Sequence, residues 1–228
     1  MGSTNFNEEW WEVWRNIFKN TSENKVIYLL GDLVETQTVD VNAWESDLPV
    51  DEQIEEVVRM LKPYRDYIRY SVRGNHESRL IKKFNLDISR LIADRLGVNY
   101  SSNDFFDTLS IRGNEITVYG KHGTRTSQKP DLAMKNFKDD MSNIRANLCL
   151  QGHNHYCEFS SYYIRDHLGG FRKYYGFTGH FLDYKNSYAH NKGYAVSPAS
   201  FMRIEVSDKS RINCKKYYSD EWIDDIWK

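Results

Sequence analysis

Cysteine is scarce in this chain: three residues in 228, at Cys149, Cys157 and Cys214, an odd number with no CxxC spacing. That argues against a disulfide framework and a thiolate zinc knuckle, and makes a reducing cytosol the expected setting. Long apolar runs are missing as well. The longest, Val26 to Leu30, suits one buried strand and is far too short to span a bilayer. No basic stretch followed by an apolar segment opens the chain, so no secretory signal is visible and a cytoplasmic protein is expected. Charge of one sign is also lacking, the formal net charge being -1. Proteins that coat nucleic acid carry a basic excess. A local basic face stays open to consideration, because Arg69, Arg73, Arg79, Lys82 and Lys83 lie close together. No repeat, low-complexity tract or linker appears, and one domain over residues 1–228 is expected.

What is present alternates between two periodicities. From Asn5 to Asn20, Trp10, Trp11, Trp14, Ile17 and Phe18 recur at helical spacing, with glutamates early and Lys19 late to suit the helix dipole. Residues 25–32 read as a buried parallel strand ending in a glycine turn. Asp51 to Arg65 is helical again, with Pro63 marking its end or a kink. Tyr67 to Val72 is a second strand running into Gly74. Helices are expected at Ser78–Lys83 and Asp87–Leu96, the latter stopped by Gly97. The second half is mostly strands: a hairpin of 105–111 with 115–119, a short strand at 146–150, and further strands at 156–165, 171–177, 201–206 and 212–218. One helix, Asp131 to Ser142, interrupts them. Alternating α and β followed by antiparallel strands predicts an α/β sandwich, two sheets flanked by helices.

Within that pattern, Gly31-Asp32, Gly74-Asn75-His76-Glu77, Lys121-His122-Gly123 and Gly152-His153-Asn154-His155 each follow a predicted strand. Open α/β sheets bind ligands at the carboxyl ends of their strands, so these loops should converge although they are distant in sequence. Imidazoles, a carboxylate and an amide oxygen suit Mn, Fe or Zn, and a carboxylate can bridge two such cations. Two metals about 3.5–4 Å apart can clamp an in-line phosphoryl displacement.

In this order the motifs resemble the calcineurin-like metallophosphoesterase superfamily, whose pattern is D-x-H, G-D, G-N-H-[DE], H-G or a lone His, and G-H-x-H. The resemblance covers nearly the whole chain. It implies a metallophosphoesterase α/β sandwich that hydrolyses phosphomonoesters or phosphodiesters with a metal-bridging hydroxide, the cofactors being divalent ions, manganese first, with iron or zinc as alternatives. Asp32 would be the bridging carboxylate, Asn75, His122 and His153 would complete one metal site, and His155 would belong to the other. His76 would be the leaving-group acid, oriented by Glu77 or another acceptor. The protein phosphatase branch writes Gly-Asp-x-x-Asp-Arg-Gly where this chain has Gly31-Asp-Leu-Val-Glu-Thr36. The segment after Phe177 is more similar to small phosphoesterases of phages and prokaryotes.

The D-x-H motif occurs nowhere in the 228 residues. The resemblance places it on a first strand just before the first helix. A strand of about six residues and two ligands are therefore expected upstream of Met1, through a start assigned too far downstream, a split gene or a trimmed fragment. Without them one metal site keeps only Asp32 and His155. The alternative to an active hydrolase is then an impaired or inactive chain that binds one metal, or a partner such as an upstream fragment or a second copy.

Other residues are read more plainly. Arg79 and Arg125 follow ligand motifs and are candidates to contact substrate phosphate, although solvated surface charges are the simpler reading. His180, after Thr178-Gly179, is a third substrate-contact candidate; His167 and His190 are not expected to bind metal. The tryptophans are the buried face of the first helix, and would be an exposed patch if a strand beneath them is absent.

Overall fold

The first helix starts where the sequence supplies a cap. The Asn7 side chain accepts a hydrogen bond from the Trp10 N–H at 2.8 Å, and α1 runs from Glu8 to Asn20. The computed structural model describes residues 6–21, 24–36, 48–111, 113–123, 127, 129–182, 197–207 and 211–220. After α1 come β1 (Ile27–Leu29), α2 (Val50–Leu61), a 3-10 turn (Lys62–Tyr67), β2 (Ile68–Val72), α3 (Ser78–Phe84), α4 (Ile88–Leu96) and β3 (Asn99–Ser101). The second half holds β4 (Asp104–Ile111), β5 (Asn114–Lys121), α5 (Pro130–Asp140), β6 (Leu148–Gln151), β7 (Cys157–Asp166), β8 (Gly169–His180), β9 (Ser200–Val206) and β10 (Ile212–Tyr218).

The strands form two sheets. The smaller is parallel, in the order β1-β2-β3; the larger runs β10-β9-β8-β6-β5-β4, with β7 also pairing β8. β5, β6 and β8 pair parallel, β8 through residues 174–177, whereas β4, β7, β9 and β10 pair antiparallel. The face between the sheets is filled by Leu30, Val72, Phe105, Val118, Leu148 and Ile212. On the outer face of the small sheet, Trp11, Ile54, Val57, Leu61, Ile88 and Ile92 form a second cluster. Helix α5 closes the large sheet through Phe137, which stacks on Phe177. Buried Asp107 ties the sheets together: Tyr28 donates to it at 2.7 Å, and Arg69 at 2.6 and 3.1 Å.

Trp10 and Trp11 are buried, as expected of the inner face of the first helix, and they form no exposed patch. Trp10 is 3% exposed against Ala199 and Phe201, and Trp11 is 7% exposed against Tyr64 and Phe181. Helix α1 is a wedge whose two buried faces join the outer cluster of the small sheet to β9 of the large one. The basic stretch 69–83 is not a free cationic face either. Arg69 pairs with Asp107, Arg73 with Asp87, and Arg79 with Glu35. The expected kink at Pro63 is the 3-10 turn that follows α2. No helix among the described residues is long and apolar enough to cross a membrane.

Because Trp10 is buried against Ala199 and Phe201, Trp10→Ala should cost about 3–5 kcal/mol. Urea denaturation measures this, and a loss below about 1 kcal/mol would show that α1 is not a wedge.

Candidate metal centre

Parallel pairing within each sheet brings the carboxyl ends of β1 and β2 to one edge, and those of β5 and β6 to another. The two edges meet at Leu30, whose carbonyl accepts from His122 Nδ1 at 2.6 Å. That bond fixes the ring: with its proton on Nδ1, His122 turns the Nε2 lone pair inward. There Nε2 lies 2.8 Å from Asn75 Oδ1 and 3.1 Å from Asp32 Oδ2. Donor atoms of Asp32, His122 and His153 all fall within 4.8 Å of one another.

The turn after β1 is bent to make this possible. Gly31 has φ 87°, and Asp32 follows at φ 54°, in the left-handed region that few side chains adopt. A Cβ on Gly31 would sit 2.6 Å from the Gly74 backbone and 2.8 Å from His122 Nδ1. Only glycine lets the β1 and β2 loops approach so closely. Glu77, fully buried, holds the turn from below. Its carboxylate accepts the backbone N–H groups of Asp32, Leu33 and Val34, at 3.1, 2.5 and 3.3 Å. The His76 N–H in turn donates to Asp32 Oδ1 at 3.0 Å.

The electrostatics follow from this crowding of acceptors. Burial works against a charged Asp32, yet the hydrogen bond and charge of His122, and then the charge of His76, hold its carboxyl well below the ordinary range. Burial likewise disfavours charge on His122, but its bond to Asp32 raises its pKa above the usual value. Burial, reinforced by the Asp32 charge, pushes Glu77 up to about 7. Lone pairs of Asp32, Asn75 and His122 converge on a point that calls for positive charge. In His122 a proton can supply it. A divalent cation would satisfy every donor at once, and the oxygen and imidazole set suits one.

A second chain of contacts reaches outward from the centre. His76 Nδ1 meets Glu35 Oε2 at 2.6 Å, and Arg79 donates to Glu35 Oε1 at 2.7 Å. His76 Nε2 stands 3.9 Å from Asp32 Oδ2. Burial lowers the pKa of His76, but the Glu35 bond and the Asp32 charge outweigh it and the net shift is upward. The acceptor that orients His76 is therefore Glu35 and not Glu77, which spends its oxygens on backbone. The sequence carried a signal for it: Glu35 lies three residues after Asp32, the spacing of the second acid in Gly-Asp-x-x-Asp-Arg-Gly.

The His153 and His155 rings arrive by a route the sequence did not suggest. On an extended segment, side chains two residues apart would share one side. Instead 152–156 is a tight turn, with the Asn154 N–H donating to Gly152 O at 2.6 Å and His153 at φ 61°. His153 packs on His122, ring centres 4.9 Å apart, whereas His155 turns to His180 at 5.1 Å. Burial pushes both down to about 4. Asp32, Asn75, His122 and His153 are thus brought together, and His155 stands outside the tight group. Arg79 is engaged with Glu35, and His180 is 8% exposed behind His155. Arg125 and His190 lie outside the described residues.

Such a centre at the strand ends of a two-sheet α/β sandwich defines a metallophosphoesterase fold. The calcineurin-like phosphoesterase family model matches residues 6–184, and the chain belongs to that family. No curated protein sequence matches it. Among solved structures it is similar to Vps29 from Entamoeba histolytica complexed with zinc, at 15% identity over 83% of this chain and 97% of that one, TM-score 0.36. It is also similar to the Thermotoga maritima protein TM1076, at 13% identity over 84% and 98% of the two chains, TM-score 0.34. Vps29 (Vacuolar Protein Sorting 29) from Cryptosporidium parvum gives 14% over 86% and 100%, TM-score 0.33. Superpositions this loose carry no argument about activity.

Glu77→Ala would strip the acceptor from backbone N–H groups at the Asp32 turn, at about 1–3 kcal/mol for each one left unsatisfied. Thermal melting should show a large loss of stability, and a variant as stable as the parent would mean that the turn stands without Glu77.

Proposed function

We propose that this chain is a metal-dependent hydrolase of phosphate esters, with Asp32, Asn75, His122 and His153 holding a divalent cation and His76 acting as the general acid. The observation that carries the reading is the meeting of Asp32 Oδ2, Asn75 Oδ1 and His122 Nε2 around one point. A cation held there would supply Lewis acidity toward a phosphoryl oxygen and a lowered pKa for water. The protein's own groups do the rest. Asp32 keeps its negative charge at neutral pH. Leu30 O keeps the His122 tautomer fixed. Glu35 holds His76 in the orientation and charge state from which it can give a proton to a leaving oxygen. Arg79, fixed by Glu35, is placed to meet a phosphate with its remaining N–H donors. Manganese is our choice of metal, with iron or zinc as alternatives, and monoesters and diesters both fit. The three free thiols suit a reducing, cytoplasmic setting.

One observation favours a refinement. β1 sends Leu29 into the outer cluster and Leu30 into the inter-sheet cluster, the pattern of a strand inside a sheet. Among the described residues only β2 pairs with it. We propose that a further extended segment, from upstream or from another chain, pairs along β1 and adds ligands on the His155 side. Without it the chain would bind one ion and turn over slowly.

Hydrolysis of p-nitrophenyl phosphate and bis-p-nitrophenyl phosphate with Mn2+ tests the activity. His76→Ala should slow turnover by about 10²–10⁴-fold while Mn2+ uptake persists, and Glu35→Ala should fall in the same direction by less. Loss of metal uptake in His76→Ala would contradict its role as acid. Extending the chain upstream by the D-x-H strand should raise the rate, and equal rates with and without it would rule out the refinement.

A further inference from the structure

His180 was a candidate substrate contact, but its position argues for different work. β8 pairs with β7 as far as Thr178 and then, at Gly179 and His180, with Phe201 and Ser200 of β9. Gly179 makes the switch at φ 80°, and a Cβ there would strike the Ser200 carbonyl. The bend swings the His180 ring inward, away from solvent, to lie against His155 with centres 5.1 Å apart and planes 42° apart.

The ring and the segment that carries it are held from several directions. The Leu182 N–H donates to His180 Nδ1 at 3.2 Å, and the Gly179 N–H donates to Tyr156 O at 3.2 Å. Leu182 also bridges to Phe6, and the Asn7 N–H donates to Phe181 O at 2.8 Å, so the segment is anchored to the start of α1. His155, by contrast, follows a tight turn with no strand of its own. A flexible imidazole there would be a poor ligand, because second-layer contacts typically carry about 10–100-fold in affinity or activity.

We infer that His180 is a positioning residue, which fixes the orientation of the His155 ring beside the centre. The inference rests on the proposed role of His155 as a ligand, but its test does not require turnover. Histidine-labelled protein has seven ring systems to follow, compared by ring-proton NMR among the parent, His180→Leu and His180→Gln. The expected result is that the His155 signals shift and broaden in both variants while those of His122 and His153 hold. With Mn2+, turnover should fall about 10–100-fold at nearly unchanged KM. An unmoved His155, or equal disturbance of all three rings, overturns the inference; so does failure of both variants to give a dispersed spectrum, which would make His180 a folding residue. If His155 moves as expected but the parent hydrolyses no phosphate ester, the positioning role stands and the hydrolase reading falls.

Discussion

Two oxygens and a ring nitrogen meet where only a proton or a cation between them can reconcile their lone pairs. Asp32 Oδ2, Asn75 Oδ1 and the Nε2 of His122 share one small volume, and His122 is turned that way by its bond to Leu30 O. Buried lone pairs facing one another are costly unless positive charge lies between them. Much of the local structure is arranged to keep them there. Gly31 and Asp32 take left-handed backbone, Glu77 ties down three N–H groups, and His153 takes a conformation that few non-glycine residues adopt. Strain of this kind persists where surrounding contacts over-determine it and a function depends on it.

The fold delivers those residues by simple means. Parallel strands end on the same edge, so loops far apart in sequence are neighbours in space. Two sheets packed face to face bring the edge after β1 and β2 against the edge after β5 and β6. Helix α1 then fixes the sheets relative to each other, with Trp10 on β9 and Trp11 on the outer cluster of the small sheet. The aromatic wedge and the candidate metal centre are thus connected through β1 and the end of β8, which carries His180.

Most of the architecture was legible in the sequence because its signals are periodic. Apolar spacing gave α1, α2 and α4, and the short apolar runs gave β1, β2 and β6. β3 went unread because Asn99-Tyr100-Ser101 has no apolar pattern and is a strand only through its pairing with β2. At the site, the ligand motifs were read from glycine beside metal-binding types, and the structure gathers Asp32, Asn75, His122 and His153 accordingly. What the sequence could not express was direction. It hinted at Glu35 as the partner of His76 only through the spacing from Asp32, and could not show that Glu77 spends its oxygens on backbone. Nor could it foresee that a left-handed residue would send His153 and His155 to different neighbours, or that a strand switch at Gly179 would bury His180.

The most direct test of the account is the position of a cation in a crystal soaked in Mn2+, located by anomalous scattering. The account predicts a peak coordinated by Asp32, Asn75, His122 and His153, with Leu30 O still bonded to His122. Those four side chains well ordered in the same arrangement, with manganese bound elsewhere and none among them, would contradict it.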